Sequence, residues 1–78
     1  MAKHETLLEM AQRHVAETKT RVDRQAALVA QLIRQGRDTV EAQALLASLE
    51  STLHVMCEVL TRQQAREARQ RLRPLRRR

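Results

Sequence analysis

The chain contains one glycine, Gly36, and one proline, Pro74, and these two residues are its only strong backbone punctuation. With nothing else to interrupt it, the sequence predicts two long helices and a tail. Arg34 in the last turn, with Gly36 just past the end and able to take the left-handed conformation, reads as a helix end. The four residues Asp38-Thr39-Val40-Glu41 have the spacing of a reciprocal capping box, with Asp38 in the cap role. The expected boundaries are a helix over 3–35, a turn over 36–38, a helix over 39–72 and a disordered Arg-rich tail over 73–78, Pro74 pushing its predecessor out of helical geometry. So short a turn forces the helices to run antiparallel.

Apolar spacing agrees with this layout. Leu46, Leu49, Leu53, Met56 and Leu60 follow alternating steps of four and three, preceded by Ala42. The first helix offers Leu8, Ala11, Val15 and Val22, after which the apolar stripe moves through Ala26, Val29 and Ile33. This implies a stutter that would flatten the supercoil. Folding the two helices about Arg37 stacks Val29 on Leu46, Ala26 on Leu49, Val22 on Leu53 and Val15 on Leu60, with Thr18 opposite Met56. The fold class is all-α, an antiparallel two-helix hairpin of coiled-coil-like character.

The core must be assembled from aliphatic side chains, because the 78 residues include no Phe, Tyr or Trp. A chain of this length has a marginal core, and with Cys57 as its one cysteine no intramolecular disulfide can support it. A reducing, cytoplasmic setting follows from that cysteine usage. Leu7, Leu28, Leu45, Val55 and Val59 fall off the main seam, and an isolated hairpin has no second layer to cover them. Self-association as a homo-oligomer, two hairpins forming a four-helix bundle, would bury them. Leu45, Val55 and Val59 are therefore the candidate residues for self-association or for a helical protein partner.

The run His14-Val15-Ala16-Glu17, the stretch Leu32-Ile33-Arg34-Gln35-Gly36-Arg37-Asp38-Thr39, and then Glu41-Ala42 and Leu45-Leu46 resemble a group of short bacterial helical-hairpin proteins that share a G-x-D-T turn. The resemblance covers roughly residues 8–60. It implies the hairpin fold and a bacterial cytoplasmic origin, and it carries no activity with it.

Several chemistries lack their residues. His54 and Cys57 sit on neighbouring turns of the second helix, but two ligands do not complete a tetrahedral metal site, and the expected register places Leu60 at the level of His14. The expectation is that Cys57 is a small apolar residue beside the seam and His54 faces solvent. Ser48 and Ser51 have no histidine partner placed by spacing, and no glycine-rich loop is present to hold phosphate. A non-enzymatic protein without cofactor or metal is expected. Lys3 is followed by Glu5 and Glu9 rather than by an apolar run, which argues against a secretory signal. The longest uninterrupted apolar run, residues 26–30, is too short to span a bilayer, so no transmembrane segment is expected.

Charge supplies the pointer to a partner. Residues 62–78 hold eight arginines against one acid, Glu67, whereas the remainder of the chain is nearly balanced and the whole carries a formal charge of +6. Glu9 with Arg13, Glu17 with Arg21, Glu58 with Arg62 and Glu67 with Arg71 are spaced for i,i+4 pairing. Setting aside Arg62 and Arg71 on that ground leaves Arg66, Arg69, Arg73, Arg76, Arg77 and Arg78 as the candidate polyanion-binding residues. Guanidinium groups grip phosphate in a bidentate manner. Without aromatic side chains to stack on bases, contact with nucleic acid would be backbone-directed and not sequence-specific. Three competing readings are a structural adaptor that binds a helical partner with the basic tail incidental, shallow electrostatic attachment of the tail to an anionic membrane surface, and a solvated tail that serves solubility.

Overall fold

The computed structural model describes residues 4–72. Two helices, α1 (Leu7–Arg34) and α2 (Val40–Arg71), pack side by side as an all-α helical hairpin.

The first helix begins four residues later than the expected 3, and the reason is local. Thr6 adopts an extended cap conformation, the Glu9 amide donates to Thr6 Oγ1 at 3.0 Å, and the Thr6 amide donates to Glu9 Oε1 at 2.9 Å. This reciprocal box satisfies two of the amides that a helix start leaves without partners. Its Thr-x-x-Glu spacing is written in the sequence.

The other end of α1 closes as expected around the glycine. Gly36 has φ +68°, its amide donates to the Ile33 carbonyl at 3.0 Å, and the Arg37 amide donates to the Leu32 carbonyl at 2.9 Å. This is the paired bonding of a Schellman motif, and it requires a residue that tolerates the left-handed region. No heavy atom would meet a Cβ built on Gly36, so conformation rather than crowding selects glycine here.

The start of α2 departs from the expected capping box. Thr39 occupies the cap position and makes no side-chain cap bond, while Asp38 Oδ1 accepts the Val40 amide at 2.9 Å. After the left-handed Gly36, the Asp38 carboxylate is best placed to close an Asx turn on the amide two residues ahead. Glu41 makes no reciprocal bond among the described residues.

The seam of α2 runs through Ala42, Leu46, Leu49, Leu53, Met56 and Leu60, all half-buried, and continues to Gln63 and Glu67. On α1 the seam positions are Leu8, Ala11, Val15, Thr18, Val22, Gln25, Val29 and Leu32, an unbroken alternation of three and four, with Met10 partly covered beside them. The expected stutter is absent. Gln25 and Leu32 hold the seam, and Ala26 and Ile33 are exposed, Ile33 to 59%. A polar residue can occupy the seam at Gln25 because its Nε2 donates to the Ala42 carbonyl across the interface at 3.0 Å, so its burial leaves no amide unsatisfied. Thr18 does meet Met56 as the antiparallel pairing predicts, with Thr18 Oγ1 3.5 Å from Met56 Sδ.

The interface is thin. Thr18 and Val29 are the only buried residues among those described, because each seam residue has one opposing helix and no second layer. By length and composition alone, α2 is long and apolar enough to cross a membrane, its most apolar 18-residue window having a mean hydropathy of 1.2. Glu50, His54 and Glu58 punctuate that helix, and one side of it lies against α1.

Candidate arginine and apolar binding surface

The arginine end is built on the regularity of α2. Arg62, Arg66 and Arg69 recur at steps of four and three; Arg62 and Arg66 fall one position before the seam's continuation at Gln63 and Glu67, and Arg69 follows at the same helical spacing. They are therefore on one flank of the helix, and all three are exposed. Arg62 and Arg66 line a shallow depression with Val59, Gln63, Glu67 and Gln70. Of the candidate residues named from sequence, Arg66 and Arg69 lie on this flank, while Arg73, Arg76, Arg77 and Arg78 lie outside the described residues.

Arg62 belongs with them. Its expected partner, Glu58, instead lies 3.4 Å from His54 Nε2, and Arg62 makes no ion pair among the described residues. The four expected i,i+4 pairs are all absent from the described ion pairs. Glu9 is committed to the cap of α1, and Arg13 turns to Glu5 and Glu17. The contact with Glu5 is two-pronged, Nε to Oε2 at 2.8 Å and Nη2 to Oε1 at 3.0 Å, and Nη1 reaches Glu17 at 3.2 Å. The fork geometry of guanidinium lets one Arg13 serve two carboxylates, and the two-pronged bond outcompetes a single i,i+4 contact. That bond holds the Glu5 carboxyl below its usual range and raises the Arg13 guanidinium further above its own.

The apolar candidates lie on the same flank of α2 as the arginines. Leu45, Val55 and Val59 are 51%, 55% and 49% exposed. With Ser48, Thr52, Arg62, Arg66 and Arg69 they form one uninterrupted stripe, each residue up to Arg66 one position before the seam or its continuation. The stripe is apolar toward the turn and cationic toward the open end, and it contains no acid between Leu45 and Arg69. Sequence reasoning treated these as two separate surfaces; the spacing relative to the seam was the available signal that they are one.

From α1 the same flank receives Leu28, Arg21 and Arg24. These three, with Gln25, Leu45 and Leu49, line one groove between the helices near the closed end. Arg21 and Arg24 are exposed and make no ion pair among the described residues; Glu17, the expected partner of Arg21, is engaged by Arg13.

His54 and Cys57 lie together in a shallow depression with Glu58, Thr61 and Arg62, where Cys57 is half-buried and the His54 side chain is 74% exposed. Glu17 is held by Arg13. Among the described residues no three histidine, cysteine or carboxylate side chains gather as a metal-binding group. In comparisons with protein-family models, curated proteins and solved structures, the chain matches none.

Proposed function

We propose that the protein is a small non-enzymatic helical interaction module, cytoplasmic in location, whose arginine-rich C-terminal end attaches to nucleic acid through the phosphate backbone. The observation that carries this reading is the stripe of Arg62, Arg66 and Arg69, three exposed guanidinium groups on one flank with no acid between them on that stripe. Spacing along a helix lets such a row follow successive phosphates, and Arg73, Arg76, Arg77 and Arg78 extend the positive charge in sequence. Lacking aromatics, the chain has no stacking platform, so the attachment is salt-sensitive and indifferent to base sequence.

The test is fluorescence anisotropy on duplex DNA and RNA over a salt series, comparing the full chain with Arg62→Gln/Arg66→Gln/Arg69→Gln. Loss of backbone contacts reduces the log–log salt slope by about 0.7–0.9 per arginine removed. An unchanged slope, or no binding by the full chain at low salt, overturns the reading.

A second reading has its own support in the half exposure of Leu45, Val55 and Val59 on a single stripe. Aliphatic residues at helical spacing fit a helical protein partner, a second copy in a four-helix, coiled-coil-like bundle included. In that case the arginines are a polar rim to the contact.

A further inference from the structure

We propose that the groove between α1 and α2 at the closed end is a docking site for an acidic amphipathic helix of a partner protein. Its lining residues come from both helices: Arg21, Arg24, Gln25 and Leu28 from α1, Leu45 and Leu49 from α2. Leu28 and Leu45 are 42% and 51% exposed, and between them lie the half-buried Gln25 and Leu49. The one polar group among these, the Gln25 amide, already donates one N–H to the Ala42 carbonyl at 3.0 Å, which leaves its Oε1 to accept from a polar group of the ligand. What remains is an apolar trough between two antiparallel helices, the shape into which the side-chain ridge of a third helix packs.

Charge decides the character of that helix. Arg21 and Arg24 line the α1 side of the trough without a carboxylate partner among the described residues: Arg13 has taken Glu17 from Arg21, and Arg24 has no acid three or four residues away. A helix with leucines at i, i+3, i+4 and i+7 flanked by glutamates would cover Leu28, Leu45 and Leu49 and bring carboxylates to both guanidinium groups.

Other occupants satisfy one half of this pattern. A phosphate backbone pairs with Arg21 and Arg24 but leaves Leu28 and Leu45 in water. A second copy placed symmetrically on this flank sets the arginines of one chain against those of the other, a like-charge juxtaposition. A flat bilayer surface does not follow the trough to Leu49.

The inference rests on the helical-partner reading and is separable from the arginine end, which lies on other residues. The probe is a designed peptide of about 20 residues, long enough to be helical, with leucines on one face and glutamates on its flanks. A second peptide carries lysine in place of every glutamate. Binding is followed by anisotropy and by amide chemical shifts on the full chain, on Leu45→Gln and on Arg21→Gln/Arg24→Gln, each variant first checked for unchanged helicity. The expected result is binding of the acidic peptide alone, a footprint on residues 21–28 and 45–49, and an affinity weakened about tenfold or more in both variants.

The groove assignment is overturned if the acidic peptide does not bind, if the lysine peptide binds equally, or if the variants bind as the full chain does. A footprint at Val55 and Val59 that spares Leu28 overturns the groove while keeping the helical-partner reading. Loss of duplex DNA binding in Arg21→Gln/Arg24→Gln, or loss by Leu45→Gln of a dimer seen in light scattering, reassigns the surface and overturns the acidic helix as its occupant.

Discussion

Thr18 of α1 aims its hydroxyl at the Met56 sulfur of α2 across the middle of the hairpin, at 3.5 Å. Thr18 is 6% exposed, the lowest value among the buried residues, yet its hydroxyl is matched to a thioether, a weak acceptor. The pairing marks both the antiparallel register and a place where the seam is less stable than its shape permits.

Thr18→Val keeps the side-chain volume and removes the poorly partnered hydroxyl. Stability should rise by about 1 kcal/mol, and the melting midpoint by roughly 4–8 °C for a domain of this size. Thermal unfolding followed by circular dichroism measures it, and a lower midpoint would mean that the hydroxyl has a stronger partner than Met56.

Gly36→Ala tests the turn. No atom obstructs a Cβ, so the entire cost comes from holding a non-glycine residue at φ +68°. The expected loss is about 1–2 kcal/mol, and Gly36→Asn should lose less because asparagine enters the left-handed region more readily. Equal stability of the alanine variant and the native chain would contradict the Schellman closure.

Leu53 and Leu45 form a matched pair of leucines on α2, one in the seam and half-buried, the other on the flank and 51% exposed. Leu53→Ala should cost about 2 kcal/mol, the low end of the range for buried leucine because it is only half covered. Leu45→Ala should stay within about 0.5 kcal/mol of the native chain. Urea titrations of both variants check the order, and a costlier Leu45→Ala would place the seam on the wrong face of α2.

Glu5 offers a pH test. The hydrogen bond from Arg13 is the main reason its carboxyl lies below the ordinary value, with the charge of Arg13 adding to it. A carboxylate whose folded pKa is depressed contributes stability above its unfolded value, about 4.3 for glutamate, and that contribution disappears as pH falls through the folded value. Both side chains are solvent-exposed, so the contribution is small and screened by salt. A carbon-detected titration should find the Glu5 midpoint below the ordinary glutamate value, and Arg13→Gln should return it to the ordinary range. A normal midpoint in the native chain would show that the two-pronged contact does not persist in solution.

Individual elements differ in how far they could be read ahead of the structure. The α2 seam was legible residue by residue, since every seam position from Ala42 to Leu60 is apolar. The α1 seam was legible to Val22 and again at Val29. On either side of Val29, hydropathy favoured Ala26 and Ile33, whereas the helix kept its phase through Gln25 and Leu32, and the fitness of Gln25 for the interface depends on an acceptor carbonyl on the opposite helix. The same limit applies to the candidate surface. Leu45, Val55 and Val59 could be named as exposed from their offset to the seam, but the place of Arg62 beside Arg66 depended on Glu58 turning to His54, and the groove depended on α1 bringing Arg21, Arg24 and Leu28 to that flank.

By itself the sequence determined that the chain forms two antiparallel helices, closed at Gly36 and sealed along α2 by leucines. Those features arise from local backbone preference and from periodicity, which neighbouring residues settle among themselves. Tertiary structure decided which polar groups were used and which were left over. Gln25 entered the seam because the Ala42 carbonyl could accept its hydrogen bond, Arg13 took two carboxylates because its fork reached both and so left Arg21 without Glu17, and Arg62 was left without Glu58 because that carboxylate turned to His54. Side-chain pairing across turns and between helices is a competition among several partners at similar distance, and its outcome depends on three-dimensional reach rather than on spacing along the chain.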